Sequence, residues 1–184
     1  MDKIYEVLQV IESKPIFLKE HLQRLQQSWL FTHEDPLDLT TLEWEIGEIA
    51  SSRKDTFNLR IEVDLLTGES TVCSVEGIYP TEEMKREGVE VATFPFQRPN
   101  PQLKVYDPNL RDAMAKRRED RGVYSLLYVH EGEIGECEKA NIFFVKEGRL
   151  ITARDEDVLL GITRMKVLEI PRRTSSSRAV ISFP

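Results

Sequence analysis

The sequence predicts an α+β protein of two domains, and three observations predict it. Segments rich in Val, Ile and Tyr alternate with segments whose apolar residues recur at helical spacing. No internal repeat or heptad array runs through the chain. A polar, charged stretch from Pro80 to Gly88 interrupts the apolar pattern, which places the domains at 1–82 and 87–184. With 184 residues, 40% of them apolar, the chain can bury one good core or two small ones, which argues against disorder.

Each element has a local reason. Ile4 to Ile11 (IYEVLQVI) has the composition of a strand and ends at the polar turn Glu12-Ser13-Lys14-Pro15. Leu18, Leu22, Leu25 and Trp29 fall at helical intervals and predict an amphipathic helix over 17–29. A second helix is expected after Asp35-Pro36, with Asp as cap, Pro in the first turn, and Leu39, Leu42, Ile46 and Ile49 as its buried stripe. Leu59, Ile61 and Val63 alternate with Arg60 and Glu62 in a strand, and Leu66-Thr67-Gly68-Glu69 turns it into a partner over 71–78.

Beyond the linker, 89–96 reads as a strand, and the two prolines of Gln97-Arg98-Pro99-Asn100-Pro101 exclude helix there. Asp107-Pro108 starts a helix that ends near Gly122. Strands are expected over 123–129, 142–145 and 150–151, the last after the Glu147-Gly148 turn. Gly161-Ile162-Thr163 opens a helix expected to stop at Pro171.

The net charge of -7 comes from interspersed acids, and no Lys/Arg-rich run with interleaved aromatics appears, which argues against a nucleic-acid partner. No apolar run approaches the roughly 20 residues that span a bilayer, and Met1-Asp2-Lys3-Ile4-Tyr5 lacks a signal-peptide apolar region. The expectation is a cytoplasmic chain with no membrane partner. Cys73 and Cys137 are too few for a disulfide framework and are expected to be packing residues. His21, His33 and His130 show no ligand spacing, so no metal site is expected.

Five segments carry the chemistry. In chain order they are Tyr5-Glu6-Val7, His21-Leu22-Gln23-Arg24-Leu25, Arg98 with Lys104, Glu136-Cys137-Glu138-Lys139-Ala140-Asn141-Ile142-Phe143, and Leu159-Leu160-Gly161-Ile162-Thr163-Arg164. In order and approximate spacing this series resembles that of the fold-type IV (class IV) aminotransferases, which are pyridoxal-phosphate enzymes. The family includes branched-chain aminotransferases, D-amino-acid aminotransferases and aminodeoxychorismate lyases. The resemblance implies a two-domain fold of the D-amino-acid aminotransferase kind, a homodimer, and transfer of an amino group between an α-amino acid and a 2-oxo acid. Elimination of pyruvate by a lyase is the alternative, and a non-catalytic remnant is a further one.

By resemblance Lys104 is the catalytic amine, holding the cofactor aldehyde as a Schiff base and moving the proton on the substrate's α-carbon. Glu136 would face the pyridine nitrogen, since a protonated ring is the electron sink this chemistry needs. Arg24 is the phosphate arginine, suited to bidentate binding. Backbone N–H groups at Ile162 and Thr163, with the Thr163 hydroxyl, would cradle phosphate oxygens at a helix N-terminus. Leu159 would pack on the ring, Arg98 would approach the cofactor from the loop before the lysine, and Tyr5 would face the substrate. Tyr106 stands slightly ahead of the family's tyrosine and is left out of the site.

The family has a further strand and turn ahead of the Tyr-Glu-Val strand and further strands after the last helix. The resemblance here is expected to end near Ile170, with 171–184 an unmatched, serine-rich and basic tail. The expectation is a chain truncated at both ends, with an incomplete second domain and marginal stability.

Overall fold

A computed structural model describes residues 3–173. The chain divides into two compact units, Met1–Pro80 with Leu103–Asp107, and Thr81–Gln102 with Pro108–Pro184. The expected boundary put Lys104 in the second domain; its short segment instead belongs to the first unit. The reason is backbone pairing, since the Tyr5 N–H donates to the Lys104 carbonyl at 3.0 Å and the Tyr106 N–H to the Lys3 carbonyl at 2.9 Å.

The first unit contains β1 (Lys3–Ile11), β2 (Lys14–Pro15), α1 (Leu18–Leu30), α2 (Thr40–Ser51), β3 (Phe57–Asp64) and β4 (Ser70–Val75). Its strands form one antiparallel sheet in the order β2-β1-β3-β4. Along β1 every second residue from Ile4 to Val10 is buried, so Ile4, Leu8 and Val10 share an inward face with Glu6. Leu22, Leu25 and Trp29 of α1, Leu42 and Ile46 of α2, and Leu59, Ile61 and Val63 of β3 complete that core. The second helix starts at Thr40, later than Asp35-Pro36 suggested. The local acid is Asp38, whose carboxylate accepts from the Thr40 N–H at 2.9 Å.

The second unit contains α3 (Glu82–Glu87), β5 (Val91–Pro95), α4 (Pro108–Asp120), β6 (Ser125–His130), β7 (Glu133–Cys137), β8 (Phe144–Lys146), β9 (Arg149–Ile151) and α5 (Ile162–Arg173). Strands β5 and β6 run parallel, β6 and β7 antiparallel, and β8-β9 is a separate hairpin. Met114, Leu126 and Tyr128 are buried together at its centre. At the end of α4, Gly122 takes φ 62°, the left-handed conformation a helix stop asks of glycine.

Three expectations change here. The linker contains the short helix α3, whose first turn Thr81 caps by accepting from the Met84 N–H. Residues 133–137 form a strand where the sequence shows no strand pattern. Helix α5 continues through Pro171 to Arg173, beyond the stop that the proline suggested. The rest of the tail, 174–184, lies outside the described residues.

Candidate active site

The expected site residues fall into two groups. Tyr5, Arg24 and Lys104 lie in the first unit; Arg98, Glu136, Leu159, Ile162 and Thr163 lie in the second.

In the first unit, helix α1 turns His21 and Arg24, one turn apart, onto the Glu6 carboxylate of β1. Arg24 donates from Nε to Oε1 at 2.7 Å and from Nη2 to Oε2 at 2.6 Å. His21 Nδ1 lies 2.8 Å from Oε2 and, facing an acceptor, carries the hydrogen. All three side chains are buried. Burial alone would raise the Glu6 carboxyl pKa, but the Arg24 and His21 hydrogen bonds and the charges of Arg24 and Lys104 hold it below the usual carboxylate value.

Lys104 is half-buried, and its Nζ stands 4.6 Å from the centre of the Tyr5 ring. Its backbone N–H faces the Ser28 hydroxyl of α1 at 3.5 Å. Tyr5 meets Tyr106 edge-on, with ring centres 5.9 Å apart, and the Arg60 guanidinium lies 4.3 Å from the Tyr106 ring and 5.0 Å from the Tyr5 ring. The sheet face beside Lys104 is therefore aromatic and cationic, with Arg60 balanced by Glu62 at 2.6 Å. Glu6, His21 and Arg60 were assigned no role from sequence. Glu6 had a signal, an acid in phase with Ile4, Leu8 and Val10; Arg60 had none, because an outward arginine on a strand looks like any solvated charge.

In the second unit, Glu136 sits on β7 and is buried. Its Oε2 accepts from the Leu159 N–H at 3.2 Å and from Asn141 Nδ2 at 3.3 Å, while Arg98 Nη2 lies 3.1 Å from Oε1. Asn141 Nδ2 also donates to the Leu159 carbonyl at 2.8 Å. One amide thus ties the carboxylate to the turn entering α5. Gly161 is required in that turn, since a Cβ would fall 2.1 Å from Asn141 Oδ1. Arg164, buried, donates to the Ala153 carbonyl at 2.9 Å and pairs with Asp155 at 2.7 Å, fixing the first turn of the helix. Ile162 and Leu159 are buried and Thr163 is exposed. Arg98 and Glu136 also border a cavity of about 260 Å³ with Phe96 and Tyr128 in its wall. Burial pushes the Tyr128 phenol up to about 12 and raises the Cys137 thiol, so both stay protonated at neutral pH.

Each unit carries groups of the kind a phosphorylated aldehyde needs. The first has an amine beside an aromatic ring and a buried guanidinium, which suits an anion; the second has a fixed carboxylate and a helix N-terminus. Among the described residues no cluster of His, Cys, Asp and Glu could hold a metal ion.

Solved structures share this fold. The chain matches a structure titled "putative 4-amino-4-deoxychorismate lyase" from Legionella pneumophila with TM-score 0.83 and 19% identity, covering 98% of this chain and 73% of that one. It also matches a hypothetical aminotransferase from Mycobacterium tuberculosis, in its alpha-ketoglutarate and PMP bound form, with TM-score 0.81, 18% identity, and 98% and 71% coverage. Both likenesses are of fold. The chain belongs to the class IV amino-transferase family, whose model matches residues 3–180 and so runs past Ile170. A protein named "probable branched-chain-amino-acid aminotransferase" of Thermotoga maritima is 30% identical over 178 residues, 92% of this chain. One of the same name from Rickettsia felis is 46% identical over 48 residues, 26% of this chain. The chain spans 63% of the length of the Thermotoga relative and 17% of the Rickettsia one.

Proposed function

We propose that this chain acts with pyridoxal 5'-phosphate to transfer an amino group between an α-amino acid and a 2-oxo acid, with Lys104 as the catalytic amine. The observation that carries the reading is Glu136, a buried carboxylate held by Asn141 and the Leu159 N–H beside the opening of α5. A carboxylate fixed this way suits a pyridine nitrogen, and the Arg98 guanidinium, the Asn141 amide and the Leu159 N–H offset the cost of burying its charge. When bound, the cofactor supplies an electron sink for the bond broken at the substrate's α-carbon.

The residues divide the remaining work. Lys104 Nζ would hold the cofactor's aldehyde carbon and, once the substrate's amine has displaced it, would be the free amine that takes the proton from the α-carbon. Glu136 keeps a proton on the ring nitrogen. Arg24, the Ile162 and Thr163 N–H groups and the Thr163 hydroxyl bind the phosphate, so affinity at a non-reacting group fixes geometry at the reacting one. Leu159 packs on the ring, Arg98 restrains Glu136, and Tyr5 faces the substrate beside Lys104. The working assembly in this reading is a cytoplasmic homodimer that takes an amino acid and a 2-oxo acid as its small-molecule partners. No helix among the described residues is long and apolar enough to cross a membrane.

Adding pyridoxal 5'-phosphate should produce a long-wavelength absorbance band that Lys104→Ala abolishes. If the band is absent, or survives that substitution, the reading fails. The same chemistry could release pyruvate from an amino-deoxychorismate. Assaying pyruvate release against amino transfer separates the two, and sedimentation tests the dimer.

A further inference from the structure

Glu6 stands where the β1 pattern asks for an apolar residue. Its neighbours on the inward face are Ile4, Leu8 and Val10, and it is fully buried. A lone carboxylate there would be expelled or neutralised. It stays ionised because α1 supplies donors from one face: His21 Nδ1 at 2.8 Å, Arg24 Nε at 2.7 Å and Arg24 Nη2 at 2.6 Å.

The geometry of those bonds is specific. Glu6 meets the side edge of the guanidinium, the edge formed by Nε and Nη2, with both carboxylate oxygens. A planar fork gripped on that edge cannot turn about its last side-chain bond, so its end edge, Nη1 with Nη2, keeps one direction. His21 in turn holds Oε2 of Glu6, which fixes the plane of the carboxylate. A pair kept only for stability would have little need of this, because apolar residues of similar volume often serve as well as a buried ion pair.

We infer that Glu6, supported by His21, is the positioning residue that aims Arg24 at the cofactor phosphate, so that preference for the phosphorylated cofactor depends on a carboxylate that does not touch the phosphate. This rests on the proposed function and adds to it the source of selectivity at its phosphate end.

The test compares dissociation constants of pyridoxal 5'-phosphate and of pyridoxal, read by absorbance titration of the full chain. Glu6→Gln keeps the shape but loses the charge and one acceptor. It should weaken pyridoxal 5'-phosphate about tenfold and leave pyridoxal within about twofold. Because Glu6 acts through Arg24, Glu6→Gln combined with Arg24→Met should bind no more weakly than Arg24→Met alone. His21→Phe, the milder change, should lower the ratio of the two affinities about threefold and decides the matter if the Glu6 variant does not fold. Equal weakening of both ligands, tighter phosphate binding once the negative charge is removed, or additive losses in the double variant would overturn the inference. A parent chain that gives no long-wavelength band with either ligand refutes the proposed function itself, a different and distinguishable result.

Discussion

The guanidinium of Arg98 lies 3.1 Å from Oε1 of Glu136, the oxygen opposite the one that Asn141 and the Leu159 N–H hold. Both oxygens of this carboxylate are therefore restrained, one by a cation and the other by neutral donors. Removing the cation leaves a buried negative charge short of a partner. Arg98→Met should destabilise the chain by about 1–3 kcal/mol, a buried-pair cost reduced because Arg98 is partly exposed. With Glu136→Gln already in place, the same change should cost less, since no charge is left uncompensated. Thermal melts of the two single variants and the double variant measure the coupling, and simple additivity would count against it.

Gly161 makes a sharper prediction. A Cβ there would meet Asn141 Oδ1 at 2.1 Å, and that side chain is tied at its other end to Leu159 and Glu136. In Gly161→Ala the amide must leave, so both of its hydrogen bonds go with it. The expected loss is about 2–4 kcal/mol of stability, with cofactor affinity falling more than about tenfold. Gly47 in α2 supplies the contrast, because nothing lies within 4 Å of its added Cβ. Gly47→Ala should raise stability by about 0.5–1 kcal/mol, the ordinary helix-propensity gain. Urea unfolding of both variants checks the pair.

The fold is most legible in the sequence where a side chain's role depends on local pattern. Alternation along β1 and β3 and the Leu22, Leu25 and Trp29 spacing of α1 carry most of the first unit, because one buried face is enough to set both period and register. Strand 133–137 was missed because Glu133, Gly135 and Glu136 break its apolar signal, and Glu136 is buried for reasons of chemistry. Lys104's place in the first unit was hidden because its carbonyl accepts from the Tyr5 N–H and the nearby Tyr106 N–H donates to Lys3, each about a hundred residues away. The motif residues were legible as a series, yet their supports were not. Glu6 behind Arg24, Asn141 behind Glu136 and Arg164 under the start of α5 appear only when the chain folds.

Ile61 tests the first core. It is fully buried on β3, the strand between β1 and β4, whereas Leu66 in the following turn is almost wholly exposed. Ile61→Ala should cost about 2–5 kcal/mol through lost burial and the cavity left behind. Leu66→Ala should change stability by less than about 0.5 kcal/mol. Calorimetry on the two variants distinguishes a packed sheet from a loosely collapsed one, which would respond weakly to both.

Acid stability isolates Glu6. Its folded-state pKa lies below the ordinary carboxylate value: burial, the largest single influence, raises it, but the Arg24 and His21 hydrogen bonds and the Arg24 and Lys104 charges together outweigh burial. A depressed carboxyl contributes stability that is present in full above its unfolded value, roughly 4.3, and lost as pH falls through the lower folded value. Glu6→Gln cannot take part in that loss. The stability gap between parent and Glu6→Gln should therefore be constant from neutral pH to about 5, then shrink steadily below about 4 as the parent's carboxylate takes up its proton. Melting temperatures of both proteins across that range measure it. A gap that stayed level through the acid limb would mean that Glu6 titrates alike in the folded and unfolded chain, and its grip on Arg24 would then lack the charge assigned to it.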